Sequence, residues 1–538
     1  MNIFGKVIDL HKKRIFDAEL TITAGKIVSI KETARKSKNY ILPGLIDSHV
    51  HIESSMVVPR NFAHAAVQHG TVAVVADPHE IANVLGIEGV DYMIRDAESA
   101  HMKFFFGAPS CVPATDLETS GAIIGSGDIE ELLKRKDIWF LSEMMNFPGV
   151  INKEEAVIEK IRAAHREGKP IDGHAPGLSG LDLENYCRMG ITTDHESANI
   201  YEAREKIKRG MKIMIREGSA ACDLDALHAL FEEYPGKLML CCDDIHPEML
   251  QKGHIDLIVK ELLSRGHDLF DVLRAASVTP VEHYSLDVGT LKPGHPADFI
   301  VIDNLNDFNV LETWIDGNRI YDRGKVLFET SRPVTVNRFN SSMISPGELV
   351  VSNTGGKIRI IKAIDGELIT DKKELSWTNM AELAASVSKD ILKIVVKDRY
   401  NDGPPSVAFI SGFGIKHGAF ASSVAHDSHN IVAVGTDDEE ISNAINLIVQ
   451  ARGGLSCCSK ETQLVVPLPV AGIMSDVPCG TIAAEYKKIS DKVRDMGSQL
   501  KAPFMTLSFM SLLVIPHLKL GDRGLFDVDR FEFVDLFV

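Results

Sequence analysis

A closed barrel of parallel strands, each followed by a helix, is the α/β fold class predicted for this chain. A small β-sandwich is expected from the segments that flank the barrel, and a separate α+β domain beyond it. Three observations predict this. Between residues 43 and 294, apolar β-branched runs alternate with amphipathic helical segments, and strands buried on both faces of a parallel sheet read as such continuous runs. There are eight of these runs, over a length of about 250 residues that suits one closed barrel. Polar and titratable residues collect at the C-terminal ends of the runs, where barrels of this kind place their chemistry.

The elements follow in order. GKVIDL, RIFDAELTIT and AGKIVSI in the first forty residues read as short strands and turns. The same texture returns as ADFIVIDN and VLETWIDGNRIYDRGKV (297–326), so residues 1–42 and 295–340 are assigned to the β-sandwich. The eight run ends are LIDSHVHIE, TVAVVADPHE, FFFGAPSCV, IWFLSEMMN, PIDGHAPG, ITTDHES, KIMIREGS and LMLCCDDIHP. Helical segments such as NKEEAVIEKIRAAHREG follow them and complete a barrel over 43–294. From 341 to 538 the chain reads KIRIIKAIDGELIT, ILKIVVKDRY and HNIVAVGTDDEEISNAINLIVQARGG, strand and helix without the barrel rhythm, hence a C-terminal α+β domain. SNTGGK (352–357) reads as a surface turn.

Composition narrows the function classes. The 538 residues are 45% hydrophobic and 25% charged, an ordinary globular balance, with a formal net charge of -17 that argues against nucleic-acid binding. The start, MNIFGKVIDLHKKRIFDAEL, lacks a secretory pattern. The longest apolar run, PFMTLSFMSLLVIP (503–516), is too short to span a bilayer and reads as buried core. Cysteines 111, 187, 222, 241, 242, 457, 458 and 479 include two adjacent pairs and no CxxC, so neither a thiolate zinc knot nor a disulfide framework is expected. A cytoplasmic protein away from membranes is the expectation.

His49-Val50-His51 is the strongest chemical signal. Residues i and i+2 of a strand point the same way, so both imidazoles can reach one ion. Glu143 ends the fourth run, His174 the fifth, His195 the sixth, and Asp243 or Asp244 the eighth. Imidazole and carboxylate ligands suit Zn, Mn or Fe, and an all-N/O set leaves positions open for water. A single His or Asp at a strand end is usually a cap or a satisfied core group. Five such positions on one barrel rim point to a metal centre.

PGLIDSHVHIESS, ADPHEIANVLG, DGHAPGLSG, TTDHES and CCDDIHP resemble the barrel motifs of the adenine deaminase family within the amidohydrolase superfamily. VTPVEHYSL followed by VGTLKPGHPADFIVID resembles the superfamily's return to its small β-sandwich, and AHDSHNIVAVGTDDEEI the family's C-terminal domain. The resemblance covers nearly the whole chain. It implies hydrolysis of adenine to hypoxanthine and ammonia, in purine salvage, by a homo-oligomer (a dimer) using two divalent ions, Mn²⁺ or Fe²⁺ with Zn²⁺ also compatible. It further implies that His49 and His51 bind one ion, His174 and His195 the other, that Glu143 bridges them, and that Asp243 or Asp244 completes the first site and handles protons. Many superfamily members bridge with a carboxylated lysine; IWFLSEMMN contains none, which leaves Glu143.

The chemistry fits that set. Adenine's exocyclic amine is a poor leaving group, and attack at C6 needs hydroxide at neutral pH, which a metal supplies by lowering the pKa of bound water to about 7. A strand-eight Asp can carry the proton to the departing ammonia. Charge developing at N1 calls for a donor, for which His79 and Glu80 are candidates, against a loop-capping role. Glu53, four residues past His49, could orient a ligand. His51-Ile52-Glu53 matches half of the cytidine-deaminase signature, but PCxxC is absent. Gly412, Gly414 and Gly418 do not have GxGxxG spacing. His426, Asp427 and His429 read either as a site where the C-terminal domain covers the barrel mouth or as a turn, and Cys241-Cys242 as strand packing. The competing functions are another cyclic amidase or deacetylase of the superfamily and a non-catalytic scaffold that would have lost its ligands.

Overall fold

The structure, a computed structural model, describes residues 1–538 apart from 220 and 377–381. Four strands precede the barrel: β1 (Asn2–Asp9), β2 (Arg14–Thr23), β3 (Lys26–Glu32) and β4 (Tyr40–Pro43). The barrel itself comprises β5 (Leu45–His51), β6 (Thr71–Ala76), β7 (Lys103–Ala108), β8 (Ile138–Met144), β9 (Ile171–Gly173), β10 (Thr193–Asp194), β11 (Lys212–Arg216), β12 (Leu238–Cys241) and β13 (Asp243–Asp244). Four strands follow: β14 (Phe299–Ile302), β15 (Val310–Ile315), β16 (Asn318–Asp322) and β17 (Lys325–Val326).

β5 to β9 run parallel in sequence order, and β13 pairs parallel with the free edge of β5. β10, β11 and β12 form a second parallel set. A parallel bridge between Ile171 and Ile191 joins the two sets on one side. On the other side, β13 continues the run of β12 after a break at Cys242, so the eight apolar runs close a ring. β5 and β6 are buried at every position, as strands covered on both faces require. They lie close because Gly44, at the entrance to β5, has no side chain: a Cβ there would stand 2.3 Å from Val72 Cγ1. The helix Glu155–Glu167 buries Val157, Ile158, Ile161 and Ala164, a stripe at helical spacing, and ends on Gly168 in the left-handed conformation.

The flanking strands form one eight-stranded sheet in the order β17-β16-β15-β14-β4-β1-β2-β3. β4 is the junction, parallel to β1 and antiparallel to β14, which joins segments some 250 residues apart in the chain. Val7, Leu20, Ile27, Ile41, Phe299 and Trp314 pack together as its core.

The chain divides into two compact units. One comprises Met1–Pro78, Asp91–Cys111 and Ile124–Arg332; the other comprises His79–Val90, Val112–Ile123 and Pro333–Val538. The segments assigned to sandwich and barrel thus share a unit, and two short stretches from within 43–294 cluster with the C-terminal one. That second unit is built on an eight-stranded sheet. Its helix Asp438–Ala451, capped by the Asp437 carboxylate, buries Ile441, Ala444, Ile445 and Ile448 against Ala419, Ala421 and Ala433 of the sheet. The apolar run 503–516 supplies the helix Pro503–Ser508 and the turn Phe509–Ser511, buried throughout. Among the described residues no helix is long and apolar enough to cross a membrane.

Candidate metal centre

Six of the strand-end residues converge at the C-terminal ends of the barrel strands. Alternation along β5 turns His49 and His51 to one side, with their Nε2 atoms 3.2 Å apart. Asp243 Oδ1 lies 3.0 Å from His51 Nε2 and 3.4 Å from His49 Nε2. Glu143, from β8, presents Oε1 to His51 Nε2 at 3.3 Å, and Oε2 to His174 Nδ1 at 2.7 Å and to His195 Nε2 at 3.1 Å. His174 reaches it from the end of β9, where Gly173 lets that strand approach β10: a Cβ there would meet Thr193 O at 2.3 Å. The rings of His49 and His195 stack with centroids 4.1 Å apart. His49, His51 and Asp243 could hold one ion, and His174 and His195 a second, with Glu143 between the pairs.

The donor set fits divalent ions. Ligands about 2.0–2.2 Å from one ion stand roughly 3 Å apart, which is the spacing found here. Charge points the same way. Glu143 and Asp243, with the nearby Glu196 and Asp223, set four carboxylates against the single guanidinium of Arg216. With neutral imidazoles the cluster carries a formal charge of about -3, in a buried position where unpaired charge is costly. Burial alone would push His51 toward neutrality, but Asp243 and Glu143 hold its pKa well above the imidazole range. His195, opposed by burial and supported by Glu143, is held up at about 9. Burial would raise Glu143 and Asp243, yet the surrounding histidines (and Arg216 beside Asp243) keep both well below the usual carboxylate range. These are positions where protons and divalent ions compete.

Asp243 adopts φ +60 just after the break at Cys242, which turns its side chain to the histidines. Asp244 instead accepts a hydrogen bond from Ser54 Oγ. Glu53 is buried in the turn Ile52–Ser55 that follows β5. Cys241 and Cys242 are buried, which pushes both thiols well up and leaves them unreactive packing. The Gly412 and Gly414 amides donate to the Asp390 carboxylate, so that turn already holds an anion.

Sequence reasoning missed the supports. Arg216, at the end of β11, donates from Nη1 to Glu196 and to Asp243 Oδ2 (2.7 Å), and from Nε to Asp223 (3.0 Å). The buried Lys206 donates to Asp194 Oδ2 (2.7 Å), to Ala175 O (2.8 Å) and to Glu202 (2.8 Å), which ties together the residues beside His174 and His195. Asp47 Oδ1 accepts from the backbone N–H groups of His49 and Cys242, joining β5 to the last run. Each is a lone charged residue with no spacing signal. Only the clustering of charge at run ends could have flagged Glu196 and Arg216.

His79 and Glu80 belong to the second unit, in the helix His79–Leu85. His426 Nδ1 and His429 Nε2 each reach a different oxygen of Glu80, and His79 Nε2 lies 3.5 Å from Oε1. Burial would raise Glu80, but these histidines hold it well below the usual carboxylate range; burial lowers His429 to about 4. AHDSHN is therefore a clamp on a carboxylate, with hydrogen-bond spacing to each of its oxygens.

Residues 40–320 match the amidohydrolase family and residues 367–532 the adenine deaminase C-terminal domain. The adenine deaminase of Methanosarcina barkeri (strain Fusaro / DSM 804) is 50% identical over 543 residues, covering 99% of this chain and 98% of its own length. The chain belongs to the adenine deaminase family. Members from Salinibacter ruber (51% identical; 100% of this chain, 99% of that one) and Borreliella burgdorferi (46%; 98% of each) are similarly alike end to end. The adenine deaminase family match takes in the barrel, its flanking sheet and the C-terminal unit.

Proposed function

We propose that this chain hydrolyses adenine at C6, releasing ammonia and hypoxanthine. The observation that carries the reading is the end-to-end identity of about half with adenine deaminases, supported by the imidazole and carboxylate donors gathered at the strand ends. When bound, a divalent ion lowers the pKa of water to about 7 and so supplies the nucleophile at neutral pH. We assign two ions per chain, Mn²⁺ or Fe²⁺ with Zn²⁺ compatible, to His49, His51, Glu143, His174, His195 and Asp243.

Asp243 divides its work between its oxygens. Oδ1 faces the histidines, while Oδ2 is anchored by Arg216, so the carboxylate is aimed as a general base that accepts the proton of the attacking water and returns it to the departing amine. Asp244, engaged with Ser54, is a supporting residue. His79 and Glu80, in the run end ADPHE, are assigned to the purine ring. An ionised Glu80 accepts hydrogen bonds, so donation to N1 falls to His79. The setting we assign is cytoplasmic purine salvage, consistent with eight free cysteines. Turnover of a panel of adenine, adenosine, cytosine, hydantoin and N-acetylated sugars tests the reading, with ammonia release read for the purines and cytosine and product identity by ultraviolet spectrum and mass for all. Adenine should be the substrate; turnover of hydantoin or the sugars without adenine would overturn it.

A further inference from the structure

We infer that Glu196 is a fourth protein ligand on the His174–His195 side of the centre, giving that ion two carboxylates and two imidazoles. The inference rests on the two-ion reading above. Glu196 Oε1 lies 3.6 Å from His195 Nε2 and 3.8 Å from His174 Nδ1, on a side chain only 12% exposed. Two donors bound at about 2.1 Å to one ion stand about 3.0 Å apart at a right angle and about 3.6 Å apart at 120°. Oε1 therefore stands at a spacing from both histidine nitrogens that one ion could span, as does Glu143 Oε2, 2.7 and 3.1 Å from the same nitrogens.

Glu196 is also aimed. It follows His195 directly, and Arg216 Nη1 donates to the same Oε1, which occupies one of that oxygen's two lone-pair sites and leaves the other for the histidine side. Arg216 is itself fixed, since Nε donates to Asp223 and Nη1 also reaches Asp243. The guanidinium therefore links the two halves of the centre, its Nη1 reaching both Asp243 and Glu196. A carboxylate serving only as partner to Arg216 could have pointed away from the imidazoles; this one is held between them.

The test is metal content and affinity of the full-length protein, stripped with chelator and titrated with Mn²⁺ by mass spectrometric metal analysis and electron paramagnetic resonance. The unaltered protein should bind two Mn²⁺ per chain. Glu196→Gln should retain the first ion, which also reports a folded barrel, and bind the second at least about 100-fold more weakly, at the upper end of what outer-sphere changes cost. Arg216→Met, which removes the anchor but not the ligand, should still bind two ions. Two tightly bound ions in Glu196→Gln would overturn the assignment. Equal loss in Glu196→Gln and Arg216→Met would also do so, and make Glu196 part of an ion-pair network alone. Fewer than two ions in the unaltered protein would instead sink the two-ion reading itself.

Discussion

Asp243 shows how much one backbone dihedral can decide. At φ +60 it occupies the left-handed region, which Asp tolerates better than most residues, and this turns Oδ1 toward His49 and His51 and Oδ2 toward Arg216. Asp243→Asn should keep its metal, because two imidazoles and Glu143 still surround the ion, but lose about 10²–10⁴ in turnover with the loss of proton transfer. Asp244→Asn, which disturbs the contact with Ser54, should be milder. Steady-state kinetics with metal analysis checks both, and a dead Asp244→Asn beside an active Asp243→Asn would exchange their roles. His195 offers a pH signature. Its pKa is raised to about 9 from an ordinary 6.5, so in metal-stripped protein its stabilising contribution is full below about pH 6.5 and is lost as pH rises through 9. Metal binding requires the neutral ring and should release protons at pH 7. Thermal melts of stripped and Mn²⁺-loaded protein should then diverge as pH rises from 6.5 to 9; parallel curves would contradict this. At this scale the donor residues that gather at strand ends were legible in the sequence, because HxH and run-end carboxylates have positional meaning. Glu196 and Arg216 have none; their significance comes from three strands brought together in space.

At the scale of elements, the helix Ile200–Lys208 does more than cover the barrel. Through Lys206 it holds Asp194 at the end of β10 and the Ala175 carbonyl just beyond β9. Lys206→Met should leave Asp194 buried and unpaired, at a cost of about 3–5 kcal/mol. Urea denaturation measures this, and a loss below about 1 kcal/mol would mean that the backbone alone fixes those strand ends. The AHDSHN loop acts on Glu80 in the same manner. His426→Ala or His429→Ala should lower turnover about 10- to 100-fold with unchanged metal content, whereas unchanged kinetics would make the loop structural. The barrel strands were legible because continuous apolar runs are their direct signature. The break at Cys242 was not, since LMLCCDD reads as one run. Nor was the clustering of 79–90 and 112–123 with the C-terminal unit, because hydrophobic pattern reports burial and not the partner that provides it.

Across the whole molecule the dominant feature is charge placed against the usual preference for apolar interiors. The chain carries a net charge of -17, and it gathers Asp243, Glu196 and Asp223 around Arg216 on the barrel rim, with Glu143 buried among the neighbouring histidines. Such an arrangement is costly unless cations complete it, which makes metal dependence a property of the fold as well as of the reaction. Chelation should accordingly lower both activity and melting temperature, the second by the linkage of binding to folding, and differential scanning calorimetry reads it directly. The most direct test of the central claim is ammonia release from adenine, measured on stripped protein during titration with Mn²⁺. The account predicts no release without metal and full activity only as the second ion per chain binds, with hypoxanthine as the product. Full activity in stripped protein, or saturation of both ions with no turnover of adenine, would contradict it.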